Sequence, residues 1–222
     1  MERRPEPELM DSEAQTAAYA AADFNESNSL FTRLFAESFP DCAGSGAMID
    51  LGCGPGDIAL RMARAYPGWR ITGLDAGENM LRRARERFRS EGEALDVTFK
   101  HGYLPDDSLE EAAWDALISN SLLHHLPDPL VLWHSIRRLA RPGAAVLVMD
   151  LCRPAGMAEA QALVDHYAAD EPPVLRDDFY NSLLAAYTLD EVRDQLEKSG
   201  LAALSAGMCS DRHWFVQGRI TD

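Results

Sequence analysis

The chain has no run of eighteen uninterrupted apolar residues, so no segment is expected to cross a membrane as a helix. It has four cysteines, Cys42, Cys53, Cys152 and Cys209, scattered without a C-x-x-C pair. That excludes a disulfide framework and a cysteine zinc site, and fits reduced thiols in the cytoplasm with no bound metal. Basic residues are scarce. Lys and Arg number 21 against 36 Asp and Glu, giving a net charge of −15, which repels phosphate backbones and disfavours nucleic acid as a partner. The one basic cluster, Arg82, Arg83, Arg85, Arg87 and Arg89, is interleaved with Glu78, Glu86 and Glu91 and reads as a solvated helix face. Repeats and low-complexity segments are absent. The opening residues have no apolar core and do not read as a secretory signal; residues 1–10, charged and proline-bearing, are expected to be disordered.

What is present suits a single domain: 222 residues, 46% of them hydrophobic. Ala47-Met48-Ile49 reads as the end of a buried strand, and Ile58 through Arg64 as an amphipathic helix. Between them runs Asp50-Leu51-Gly52-Cys53-Gly54-Pro55-Gly56-Asp57. A strand, a glycine-dense turn and a helix set backbone N–H groups around a small concavity where a nucleotide-like ligand rests. About twenty residues on, Arg70 through Leu74 forms a short strand ending in Asp75. An acid there accepts hydrogen bonds from both hydroxyls of a ribose and repels a ribose phosphate. The spacing G-x-G-x-G, flanked by Asp50 and Asp57, differs from the G-x-G-x-x-G of pyrophosphate binders, and the acids favour a cationic ligand. S-adenosyl-L-methionine has an adenosine, a sulfonium and an ammonium.

With these residues the chain resembles the class I, Rossmann-like S-adenosylmethionine-dependent methyltransferases. D-L-G-C-G-P-G-D is close to their first motif. Asp75 through Ala84 looks like their pattern after strand 2, and Ser119 through Pro129, S-N-S-L-L-H-H-L-P-D-P, like their fourth motif. Arg141-Pro142-Gly143 matches the turn before their fifth strand. The likeness covers residues 45 to 151 well and the C-terminal third loosely.

Strands at 47–51, 70–74, 96–100, 114–119 and 144–150 alternate with helices at 57–65, 77–90 and 128–140. This predicts an α/β fold: a doubly wound, mostly parallel sheet with helices on both faces. The family adds a reversed final hairpin, here near 201–207 and 213–219, giving seven strands with an antiparallel last one. Residues 12–38 carry a helical pattern, capped by Ser12 and broken by Asn25 through Ser29. Thr188 with Glu191 makes a capping box for a helix to Ser199. One domain, 1–222, is therefore expected: an N-terminal helical lid (1–45), a cofactor-binding half (46–151), a substrate or lid insertion (152–187) and a closing helix and hairpin (188–222).

The resemblance implies cofactor contacts from Asp50, Gly52, Cys53, Gly54, Gly56, Asp75, Ala76, Met80 and Asn120, with Asp50 toward the methionine end and Met80 against adenine. After the third strand many members have an acid. This chain has His101-Gly102-Tyr103-Leu104, so either Tyr103 stacks on the adenine or the backbone at Gly102 and Tyr103 binds it, with Asp106 and Asp107 later as loop acids. His124, His125 and Asp150 are the candidate acid–base groups. Tyr19, Phe24, His166, Tyr167, Tyr180 and Tyr187 are candidate lid residues. The Asn-Pro-Pro-Tyr clamp for planar amines is absent; Asn120-Ser121-Leu122-Leu123 stands there. The expected function is methyl transfer to a small-molecule acceptor, by a monomer or homodimer. A protein or RNA methyltransferase, a non-catalytic cofactor-binding domain and an NAD-dependent oxidoreductase are the alternatives.

Overall fold

A computed structural model describes residues 1–6, 11–91 and 95–221 of the chain. Two helices, α1 (Glu13–Ala21) and α2 (Asn25–Ser38), precede an alternating series. It runs β1 (Gly46–Leu51), α3 (Asp57–Ala65), β2 (Trp69–Asp75), α4 (Glu78–Glu91), β3 (Val97–His101), β4 (Trp114–Asn120), α5 (Leu130–Leu139) and β5 (Ala140–Leu151). Next come α6 (Met157–Tyr167), α7 (Pro173–Ala185), α8 (Leu189–Lys198), β6 (Ser205–Met208) and β7 (His213–Arg219). A single helical turn, Leu123–His125, links β4 to α5. The sheet order is β3-β2-β1-β4-β5-β7-β6, with β7 antiparallel to both neighbours. The order reverses between β1 and β4, which opens a crevice outside their carboxyl ends.

Burial explains the strand pattern. β1 and, from Ala144 on, β5 are buried almost throughout, as strands covered on both faces must be. One face packs Ile49, Leu117, Val146 and Trp214 against Trp133 and Ile136 of α5 and Leu196 of α8. The other packs Met48, Ile118 and Leu147 against Phe31 and Phe35 of α2 and Met62 of α3. Each such side chain taken fully from water contributes roughly 1.5–3 kcal/mol. Thr188 caps α8 in the anticipated box: its side chain accepts the Glu191 N–H, and Glu191 accepts the Thr188 N–H.

Three expectations are corrected. The break between the first helices falls at 22–24, because the Asp23 carboxylate accepts the Asn25 N–H and starts α2 there; Asn25 through Ser29 are its first turns. Arg141-Pro142-Gly143 does not precede the fifth strand. It forms a bulge within β5 opposite Trp114 and Ala116, with Gly143 at φ 81°. Residues 1–6 are docked rather than disordered: the Arg3 guanidinium donates to the carbonyls of Ala185 (2.5 Å) and His124 (2.8 Å) and covers the Tyr187 ring at 4.2 Å. Composition foresees apolar burial, and this segment is held by cation–carbonyl and cation–ring contacts instead. Residues 7–10 of that expectation lie outside the described residues.

Candidate functional site

Two adjoining cavities open at the carboxyl ends of β1, β2 and β4. The first is walled by the glycine turn, Asp75, Ala76, Met80, Gly102, Tyr103 and Asn120, and roofed by Tyr19 and Phe24. The glycines of the turn divide their tasks. Gly52 (φ 74°) touches the Leu122 side chain, which a Cβ would meet at 2.8 Å. Gly54 (φ 51°) has open space where its Cβ would stand, on the ligand side, and its N–H donates to Asp75 Oδ2 at 2.7 Å. Gly56 does not line the cavity. It caps α3, where a Cβ would press on Ala84 and Phe99, so its expected cofactor contact becomes a packing role.

Asp75 is oriented from both sides, since Gly77 N–H donates to its Oδ1 at 2.7 Å. Burial raises its pKa, and those two N–H groups oppose the rise. Asp50 is 1% exposed, and burial, with the Asp75 charge, pushes its pKa up to about 8. Asp50 Oδ2 and Asn120 Oδ1 are buried without a hydrogen-bond partner among the described residues. Two orphaned acceptors facing one cavity call for a ligand that donates hydrogen bonds and carries positive charge, and an ammonium fits both. Asp57 does not contribute that charge, contrary to the sequence argument. Its carboxylate is held by Arg61 (2.5 Å), Arg87 (2.8 Å) and Asn28 (2.9 Å). Tyr103 is 50% exposed at the rim, edge-on to His101.

The second cavity shares Tyr19, Phe24, Asn28, Asn120, Ser121 and His125 with the first. It extends under α6 and α7 to Tyr167, Asp178, Phe179, Arg212 and His213. Ser121 holds φ 58° at the junction, a strained conformation for a residue with a side chain, fixed by its N–H to Met149 O at 2.9 Å. Behind it, Asp150 Oδ1 lies 2.5 Å from His124 Nδ1 and Oδ2 accepts the His124 N–H at 3.2 Å. Burial alone would lower the His124 pKa; the Asp150 carboxylate, then Glu6, overrides it and raises it. Asp150 is lowered against its burial by the same pair.

The three expected acid–base residues are thus brought together, but unequally. His125 lines both cavities, His124 only the second, and Asp150 neither. Of the lid candidates, Tyr19, Phe24 and Tyr167 line a cavity. His166, Tyr180 and Tyr187 do not; Tyr187 is buried beneath Arg3. Glu6, Asn28, Asp178, Arg212 and His213 were missed. Glu6 Oε1 lies 3.5 Å from His124 Nε2 and 3.2 Å from His125 Nδ1. Only Asn28 carried a signal, as a polar residue on the buried stripe of α2. Within the basic cluster of α4, Arg82 and Arg83 pair with Glu13, Arg85 with Glu78 and Arg87 with Asp57.

A family model described as a methyltransferase domain matches residues 48–143. The 27-O-demethylrifamycin SV methyltransferase of Amycolatopsis mediterranei is 29% identical over 84% of this chain and 64% of its own length. An uncharacterized methyltransferase of Mycobacterium tuberculosis is 32% identical over 50% of this chain, which spans about half, 53%, of that protein. Two solved structures share the fold over 95% of the chain. A SAM-dependent methyltransferase from Aquifex aeolicus superposes with a TM-score of 0.67 at 17% identity, over 99% of its own chain. Phosphoethanolamine N-methyltransferase 2 of Haemonchus contortus, in complex with S-adenosyl-L-methionine, superposes with a TM-score of 0.70 at 16% identity, over 57% of its chain.

Proposed function

We propose that this chain, which belongs to the class I S-adenosylmethionine-dependent methyltransferase family, transfers a methyl group to a small-molecule acceptor. One observation supports the reading: a cavity bearing a carboxylate oriented by two backbone amides and two buried acceptors without a partner among the described residues adjoins a second cavity and shares lining with it. S-adenosylmethionine, when bound, supplies an electrophilic methyl on a sulfur that leaves neutral.

The chain's own residues bind, orient and dry the site. Asp75 would accept the ribose hydroxyls, Met80 and Tyr103 would flank the base, and Asp50 with Asn120 would hold the ammonium. Ser121 and His125, common to both cavities, stand where donor and acceptor meet; the enzyme's main task is to bring them within about 3–3.5 Å. An acceptor that starts protonated must lose a proton. His125 is placed to take it, and Asp150 fixes the neighbouring His124. The roof formed by 1–6, α1, α6 and α7 suits a small acceptor better than a folded protein or an RNA, and the acidic surface adds to that.

Calorimetry with S-adenosylmethionine tests the donor half: micromolar binding is expected, and no heat at millimolar ligand rejects it. Tritiated methyl donor added to an extract with the chain, followed by identification of the labelled product, tests the acceptor half. Label confined to tRNA or protein would replace the small-molecule reading.

A further inference from the structure

We propose that Glu6, His124 and His125 form a site for one divalent transition-metal ion, zinc or cobalt by their chemistry, on the wall of the acceptor cavity. One carboxylate oxygen and two imidazole nitrogens lie within 4.8 Å of one another. A tetrahedral ion with bonds of about 2.0–2.1 Å sets its ligand atoms roughly 3.3–3.4 Å apart. Two edges of such a figure are already present, Glu6 Oε1 to His124 Nε2 at 3.5 Å and to His125 Nδ1 at 3.2 Å.

The surroundings support the ligands as well. Asp150 binds His124 Nδ1 at 2.5 Å, which leaves Nε2 as the donor nitrogen facing Glu6. This is the carboxylate–histidine arrangement that orients imidazole toward a metal. Ser182 Oγ donates to Glu6 Oε1 at 3.0 Å and fixes that carboxylate. Buried Glu6 and Asp150, with Asp178 close by, favour a cation. The facing positive group is Arg3, whose guanidinium is committed to the carbonyls of His124, Leu126 and Ala185 and to the Tyr187 ring. Imidazole with carboxylate suits zinc, cobalt, nickel or iron over magnesium and calcium.

Three protein donors leave a fourth position open, as in catalytic rather than structural sites. Both histidines line the acceptor cavity, so an acceptor hydroxyl can take that position and lose its proton to solvent more readily. His125 then serves as ligand in place of base. This last role rests on the function proposed above; the binding of the ion does not. Sequence spacing hides the site, because Glu6 stands more than a hundred positions from its partners.

Chelator-stripped protein should bind one equivalent of Zn²⁺ with a dissociation constant of about 1 μM or tighter, read by competition with a chromophoric chelator. Co²⁺ should show the strong visible absorption of four-coordinate sites. Glu6→Gln and His125→Asn should each weaken Zn²⁺ by about 100-fold. S-adenosylhomocysteine calorimetry on the same samples reports the fold; if His125→Asn fails it, Glu6→Gln alone decides. Wild-type protein that ignores Zn²⁺ at about 100 μM, or Glu6→Gln that binds it as the wild type does, overturns the site. Zn²⁺ binding without S-adenosylhomocysteine binding overturns the proposed function and leaves the metal site standing.

Discussion

The two cavities share a wall but are built in opposite ways. Most of the first comes from short stretches at strand ends, 50–57, 74–80 and 102–104, where the Gly54 and Gly77 amides orient the Asp75 carboxylate. The second takes side chains from α1, α2, the turn after β4, α6, α7 and the loop before β7, with Glu6 behind it. The first cavity is therefore written at short sequence spacing, and the second is collected from across the chain.

The largest effect should fall on one cavity alone. Asp75→Ala removes the proposed ribose acceptor and frees the Gly54 and Gly77 amides, so S-adenosylmethionine affinity should drop at least 100-fold, about 3 kcal/mol. Asp178→Ala, confined to the second cavity, should change it by less than about 3-fold. Calorimetry on both variants settles it; an equal loss would show that the two walls act as one.

Next in size is a pH effect on the shared ligand. Asp50 has a folded pKa near 8 without ligand, far above its unfolded value of 3.8. The folded form therefore holds a proton that the unfolded form lacks, and ligand-free stability falls as pH rises from about 4 to 8. An ammonium beside Asp50 reverses the preference, so binding near pH 7 should release a proton and tighten as pH climbs toward 8. Binding enthalpies in buffers of different ionisation heat measure this directly. Asp50→Asn should abolish the release; an unchanged proton count would remove Asp50 from the ammonium site.

Legibility follows the same division. Asp50, Gly52, Gly54, Asp75 and Asn120, grouped from the sequence, do line one cavity, because strand-turn-helix chemistry fixes residue type at short spacing. The doubly wound parallel sheet was readable because alternating apolar runs and helices allow few topologies, and the reversed last strand came from the family resemblance. Gly56 misled because a packing glycine and a ligand-facing glycine look alike in a motif, and only the Ala84 and Phe99 contacts separate them. Asp57 misled because its charge is answered by Arg61 one helical turn on and by Arg87 thirty residues away, with the Asn28 amide donating as well. Glu6, Asp178 and His213 were hidden because each matters only through partners brought by tertiary folding.

His213 offers a test on the acceptor wall. Burial pushes its pKa down to about 4 from 6.5, with Arg212 adding to the shift. The unfolded chain then binds the extra proton first, so stability is lost as pH falls through 6.5 toward 4, by on the order of 3 kcal/mol for this group. His213→Gln should flatten that limb in urea unfolding between pH 7 and 4.5. Equal slopes for both proteins would show that His213 is solvated in the folded state.

The smallest effect belongs to a device that is local in sequence yet far from both cavities. Thr188 caps α8 through the Glu191 amide, and Glu191 also binds Arg153 at 2.6 Å. Thr188→Ala removes one side of the box and leaves the Glu191 carboxylate on the Thr188 N–H and on Arg153. The cost should be about 1 kcal/mol in urea unfolding, with S-adenosylmethionine affinity unchanged. A cap is written as locally as the glycine turn, but it tunes only the helix it starts. If this substitution also weakened the cofactor, local legibility would not divide the two cavities: α8, packed on α5 behind the turn that carries His124 and His125, would couple to both.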